Sequence, residues 1–100
     1  MGSYCSVEND ISDADEVWMK FSACGSQINW NTSAGFTQIS RGSSHKSRKE
    51  GLSLALQINI IVFKNGRKEK YKGHMMTYTG GTDKSTSHYY ASRVPISKIE

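Results

Sequence analysis

The sequence predicts an α+β domain, an antiparallel sheet of roughly four or five strands built on a long hairpin over residues 52–79, with one N-terminal helix on its apolar face. Three observations predict it. Asn65-Gly66 is a strong hairpin signal, because both residues of a tight two-residue turn need positive φ. Before it, Leu52, Leu54, Leu56, Ile58, Ile60 and Val62 alternate with Ser53, Ala55, Gln57, Asn59, Ile61 and Phe63, so the first set faces a core. At the N-terminal end, residues 11–25 carry helix signals at both ends. An all-β sandwich or barrel is the alternative, with residues 17–23 as a strand.

The register follows from the turn. With Asn65 and Gly66 in the loop, Lys64 opposes Arg67, Val62 opposes Glu69 and Ile60 opposes Tyr71. The face away from the core then gathers Lys68, Lys70, Lys72 and His74 into one cationic row, with Gln57 and Asn59 beside it.

In the helix candidate, Ser12 is placed to cap, and Asp13, Asp15 and Glu16 crowd the first turn, where the helix dipole favours negative charge. Ala14, Val17, Trp18 and Phe21 fall on one helical face, and Gly25 stands where a left-handed cap belongs. The competing strand places Val17, Met19, Phe21 and Ala23 together, but the caps favour the helix. Residues 27–30 and 36–41 read as short strands around the turn-like Asn31-Thr32-Ser33-Ala34-Gly35. Trp30 and Phe36 are core anchors on this reading, or a pair on which bases stack. Residues 42–51 lack a core-forming pattern and read as a mobile basic loop containing Lys46, Arg48 and Lys49. Gly80-Gly81-Thr82-Asp83-Lys84-Ser85 lacks the glycine that precedes the lysine of a phosphate-binding loop and reads as a turn. A last strand over residues 88–94 is stopped by Pro95.

One hundred residues with a single proline fit one domain, with residues 1–11 as a flexible tail. No apolar stretch approaches the roughly 20 residues of a membrane helix. Without a basic-then-apolar start, the chain reads as intracellular and cytoplasmic. Cys5 and Cys24 are expected as free thiols, and no metal or cofactor is expected. Gly2 and Ser6 fit the loose acylation pattern and Cys5 offers a second anchor, but the motif is too short to favour anchoring to a membrane.

The formal charge of +4 hides an asymmetry. Residues 1–20 set Glu8, Asp10, Asp13, Asp15 and Glu16 against Lys20, a net of −4. Residues 41–72 set nine lysines and arginines against Glu50 and Glu69, a net of +7. A basic half of this kind meets a polyanion or an acidic protein surface, unless the acidic segment folds back over it. The candidate binding set is Lys46, Arg48 and Lys49 with Arg67, Lys68, Lys70, Lys72 and His74, while Gln57 and Asn59 offer amides to base edges.

The expected function is that of a non-enzymatic module binding nucleic acid without strong sequence preference. The alternative is an inhibitor or adaptor that recognises a protein through the hairpin. A small ribonuclease using two of His45, His74 and His88 as acid and base beside Lys72 is a third reading, for which no spacing brings the histidines together.

Overall fold

The computed structural model describes residues 4–23, 25–46, 55–76, 86–93 and 96–99. Its elements are β1 (Tyr4–Glu8), β2 (Glu16–Ala23), β3 (Thr37–Gln38), β4 (Ser44–Lys46), β5 (Ala55–Lys64), β6 (Arg67–Met76), β7 (Thr86–Tyr90) and β8 (Ile96–Ile99). They form two sheets. The larger is antiparallel in the order β3-β2-β5-β6-β8, and the smaller, β4-β1-β7, contains a parallel β1–β7 pair.

The hairpin has the register that its turn dictates. Asn65 and Gly66 have φ of 51° and 74°, and Lys64–Arg67, Val62–Glu69 and Ile60–Tyr71 are paired. The pairing runs from Ala55–Met76 to the turn, and residues 52–54 and 77–79 lie outside the described residues.

The expected α+β class is corrected to all-β, because no helix occurs among the described residues. Residues 11–15 run irregularly, and β2 then pairs with β5 along its whole length, from Glu16–Phe63 to Ala23–Leu56. The physical reason is burial. Alternation places Val17 and Met19 opposite Val62 and Ile60, where all four are at most 3 % exposed. Helix caps are worth about 1 kcal/mol each, less than burying two large apolar side chains at about 1.5–3 kcal/mol apiece. The carboxylates that resemble a helical first turn serve elsewhere. Asp13 pairs with Lys64, and Asp15 accepts a hydrogen bond from the Asn65 amide.

The second sheet is also absent from the expected single sheet. Residues 4–8, read above as part of a tail, are its middle strand, and residues 44–46 of the expected loop are its edge. Residues 27–30 form no strand, and the 36–41 strand shrinks to Thr37–Gln38. The strand expected over residues 88–94 begins and ends earlier, as β7, residues 91–93 turn, and it is not the last, since β8 follows at Ile96–Ile99.

One apolar cluster joins the sheets. Val7 and Ala91 from the smaller side meet Val17, Met19, Ile58, Ile60 and Val62 of the larger sheet, with Ile39 between and Tyr71 and Tyr89 partly buried at its margin. Asn9, only 3 % exposed, closes one end. Its Nδ2 donates to the Ile39 carbonyl and its Oδ1 accepts from the Ile11 amide, while its backbone bonds Ser43 and Gly42. It thereby ties the end of β1 to the turn that carries the chain from β3 to β4. Asn9→Ala removes two side-chain hydrogen bonds, one of them buried, and leaves the Ile39 carbonyl short of a donor, so a loss of about 1–3 kcal/mol is expected. Urea unfolding checks this: the midpoint should fall with an unchanged slope, and an unmoved midpoint would show that water replaces the amide.

Candidate nucleic-acid interface

The larger sheet has a second face, directed away from the apolar cluster. Pairing across β2, β5, β6 and β8 arranges it in rows: Ser22, Gln57, His74; then Lys20, Asn59, Lys72, Ser97; then Trp18, Ile61, Lys70, Ile99; then Glu16, Phe63, Lys68. Lys68, Lys70 and Lys72 therefore project from one side of β6, roughly 7 Å from one to the next. His74 continues the row and is exposed. Arg67 is exposed but opposes Lys64, one residue out of phase with the row.

The centre of this face is closed. Gln57, Asn59 and Ile61 are 0–1 % exposed, although they point away from the main cluster. Gln57 Nε2 donates to Asn59 Oδ1 at 2.6 Å. Asn59 Nδ2 donates to the Lys20 carbonyl and the Ser22 hydroxyl, and Gln57 Oε1 accepts from the Gly25 amide. Both amides are engaged inside the protein, so in this conformation they offer no groups to a base. What remains for a ligand is the cationic rim.

Residues 25–36 cross this face as a strap between β2 and β6. Lys20 Nζ donates to the Ala34 carbonyl at 2.8 Å, and Lys68 Nζ donates to that of Trp30. Gly35 fits here because its φ is +89°, a conformation that strains any residue with a side chain. The Trp30 and Phe36 rings lie 6.0 Å apart at 34°, and the Lys20 ammonium stands 5.9 Å from the Phe36 ring centre. Phe36 is buried and Trp30 half-buried. Lys20 belongs to this site and was missed, because the helix reading of residues 11–25 hid it. The competing strand over residues 17–23 is the signal that places it opposite Val17 and Met19.

Lys70 and Lys72 are half-buried and form no ion pair or hydrogen bond among the described residues. The acidic segment does fold towards the hairpin, but only at its turn, through Asp13 and Asp15. Lys64, not the row, is neutralised. Lys46 lies elsewhere. It follows His45, whose ring stacks on Phe21 between the sheets, so Lys46 alternates onto the outer side of the smaller sheet. Lys46 is thus not brought to the hairpin row, and Arg48 and Lys49 lie outside the described residues.

No family model, curated protein or solved structure matches this chain.

The remaining chemistry is sparse. His45 packs on Phe21, a core-side residue opposite Ile58, whereas His74 opposes Gln57 on the other face. These two imidazoles are separated by the sheet, and the His88 side chain lies outside the described residues. Among the described residues no three His, Cys, Asp or Glu side chains are grouped to hold a metal, and no helix is long and apolar enough to cross a membrane. The side chain of Cys5, the whole of Cys24 and the acylation candidate Gly2 also lie outside them. A groove of about 250 Å³ opens beside Asn9, Ala14, Gln38 and Arg41, but its carboxylates Asp15 and Glu16 already accept from the Asn65 amide and the Trp18 indole.

Burial pushes the His45 pKa below its ordinary value, so folding favours the neutral ring. The unfolded chain then binds the proton more readily. The contribution of His45 is fully present above pH about 6.5 and is lost as the pH falls through that value towards the depressed one. His45→Phe keeps the ring on Phe21 without the titration. The drop in unfolding free energy between pH 7.5 and 5.5 should therefore be smaller in the variant than in the parent. An equal drop would assign that pH dependence to other groups.

Proposed function

We propose that the chain is a non-enzymatic binding module whose β6 lysine face holds a polyanion, nucleic acid foremost, through its backbone and without strong sequence preference. The observation that carries this reading is the row itself. Lys70 and Lys72 share one face with Lys68 and His74, and neither has a carboxylate partner among the described residues. Successive lysines roughly 7 Å apart on one side of β6 give a line of cations that can follow a nucleic-acid backbone. Burial of Gln57 and Asn59 supports the lack of sequence preference, because lysines position a backbone and do not read base edges. Separation of His45 from His74 by the sheet supports binding over hydrolysis.

Changing Lys68, Lys70 and Lys72 together to Glu should abolish binding to oligonucleotides while leaving the strand spectrum intact. Changing the three to Gln should leave weak binding whose dependence on log salt is shallower by about two to three units. Arg41→Gln with Lys98→Gln removes cations away from this face and serves as the control, since Lys98 is paired with Glu69 on the other face. Fluorescence anisotropy over a salt series measures all of these. A parent protein with no salt-sensitive binding to DNA or RNA would end this reading, and an acidic protein surface would become the expected partner.

A further inference from the structure

Trp18, Trp30 and Phe63 all stand beside the lysine row without lying in the main core, and Trp30 is the one carried by the strap and bonded to a lysine of the row. Its carbonyl accepts from Lys68, so residue 30 is fixed at the row and not merely near it. Trp30 is half-buried, while its neighbour Phe36 is 7 % exposed and packs against it, with 6.0 Å between ring centres and 34° between the ring planes. The turn that follows is held by its own bonds: Asn31 Oδ1 accepts from the Ser33 amide and hydroxyl, and the Ala34 amide donates to the Asn31 carbonyl. A backed aromatic ring on a braced strap, next to a line of cations, has the parts of a stacking platform. Bases in a duplex are stacked on one another and present no free face, whereas bases of a single strand do.

We propose that the ligand of this face is single-stranded nucleic acid, with the phosphates along Lys68, Lys70 and Lys72 and one base stacked on Trp30. The inference rests on the polyanion reading above and adds to it the strandedness of the ligand and the residue that selects it. The Lys68 contact with the Trp30 carbonyl is an ammonium on a neutral dipole. A phosphate is a stronger, doubly charge-assisted partner, so Lys68 turns to the ligand while the strap stays held by Lys20 on Ala34 and by Gln57 on Gly25. The remaining bases are unread, because the amides beneath the strap stay engaged with one another.

Two probes separate the parts of this proposal, a twelve-residue oligothymidylate and inorganic polyphosphate of similar charge, each measured against the full chain at fixed salt. Trp30→Ala should weaken oligothymidylate binding on the order of tenfold and leave polyphosphate binding unchanged. Trp30→Phe should restore most of the loss, because it keeps a ring. The same oligothymidylate annealed to its complement should bind less tightly than the single strand at equal phosphate concentration. An equal loss for both probes in Trp30→Ala would mean that Trp30 only holds the strap, and an unchanged oligothymidylate affinity would mean that no base stacks there. Either result overturns the inference while the lysine face stands. Failure of the parent to bind polyphosphate as well as oligothymidylate would overturn the polyanion reading itself.

Discussion

From Gln57 to Val62 no residue of β5 is more than 3 % exposed, so one strand meets two buried environments at once. Towards the smaller sheet it presents Ile58, Ile60 and Val62 to an apolar cluster. On the other side it presents Gln57 and Asn59, whose amides lose water and must find partners within the protein. Leaving such a group unpaired costs about 1–3 kcal/mol. Here the partners come from β2 and its exit: the Lys20 carbonyl, the Ser22 hydroxyl and the Gly25 amide. The β2–β5 register is thus specified twice, by apolar contact on one face and by polar satisfaction on the other. A slip by one residue would place Ile58 among the amides and Asn59 among the isoleucines, an error on both faces.

That double specification explains what could be read from the chain and what could not. The hairpin register was legible because it is local: Asn65-Gly66 fixes the turn, and everything in β6 follows. The lysine row came with it. β2 was legible only as the alternative to a helix, because Asp13, Asp15 and Gly25 imitate helix termini and their real contacts lie 51, 50 and 32 residues away at Lys64, Asn65 and Gln57. Losing β2 also lost Lys20. The smaller sheet was further out of reach, since its β1–β7 pairing joins Tyr4 to Thr86 across most of the chain and no turn announces it. Period-two alternation separated the faces of β5 correctly, but alternation cannot say whether the polar face is wet. The strap that closes it carries no pattern except Trp30, Phe36 and a turn-forming cluster.

The charge asymmetry of the chain is resolved at one end only. Asp13 holds Lys64, and each partner shifts the other in the expected direction: the lysine's hydrogen bond and charge lower the carboxyl pKa, and the carboxylate raises that of the ammonium. Both groups are exposed, so this pair is held in high dielectric and contributes little to stability. Its effect is positional, since with the Asp15–Asn65 contact it brings the acidic segment to the hairpin turn. Asp10 is engaged elsewhere. Burial pushes its carboxyl up, but hydrogen bonds from Ser92 and the charge of Arg93 more than offset this and hold it below the ordinary value. Asp13 and Asp15 are thus tied to the turn and Asp10 to Ser92, away from the lysine row.

The strap is fastened by cations on carbonyls, and that choice of partner has an electrical consequence. Had Lys20 and Lys68 been held by carboxylates, each contact would have cancelled a charge on this face. A backbone carbonyl orients an ammonium without neutralising it, so Lys20 and Lys68 order residues 25–36 and still add to the field of Lys70 and Lys72. Glu16 is the one carboxylate in the rows of this face, and its Oε1 accepts from the Trp18 indole. The face is therefore both covered and cationic. Cover without neutralisation keeps the amides of β5 dry and leaves the attraction for an anion in place at the rim, where Trp30 meets Lys68.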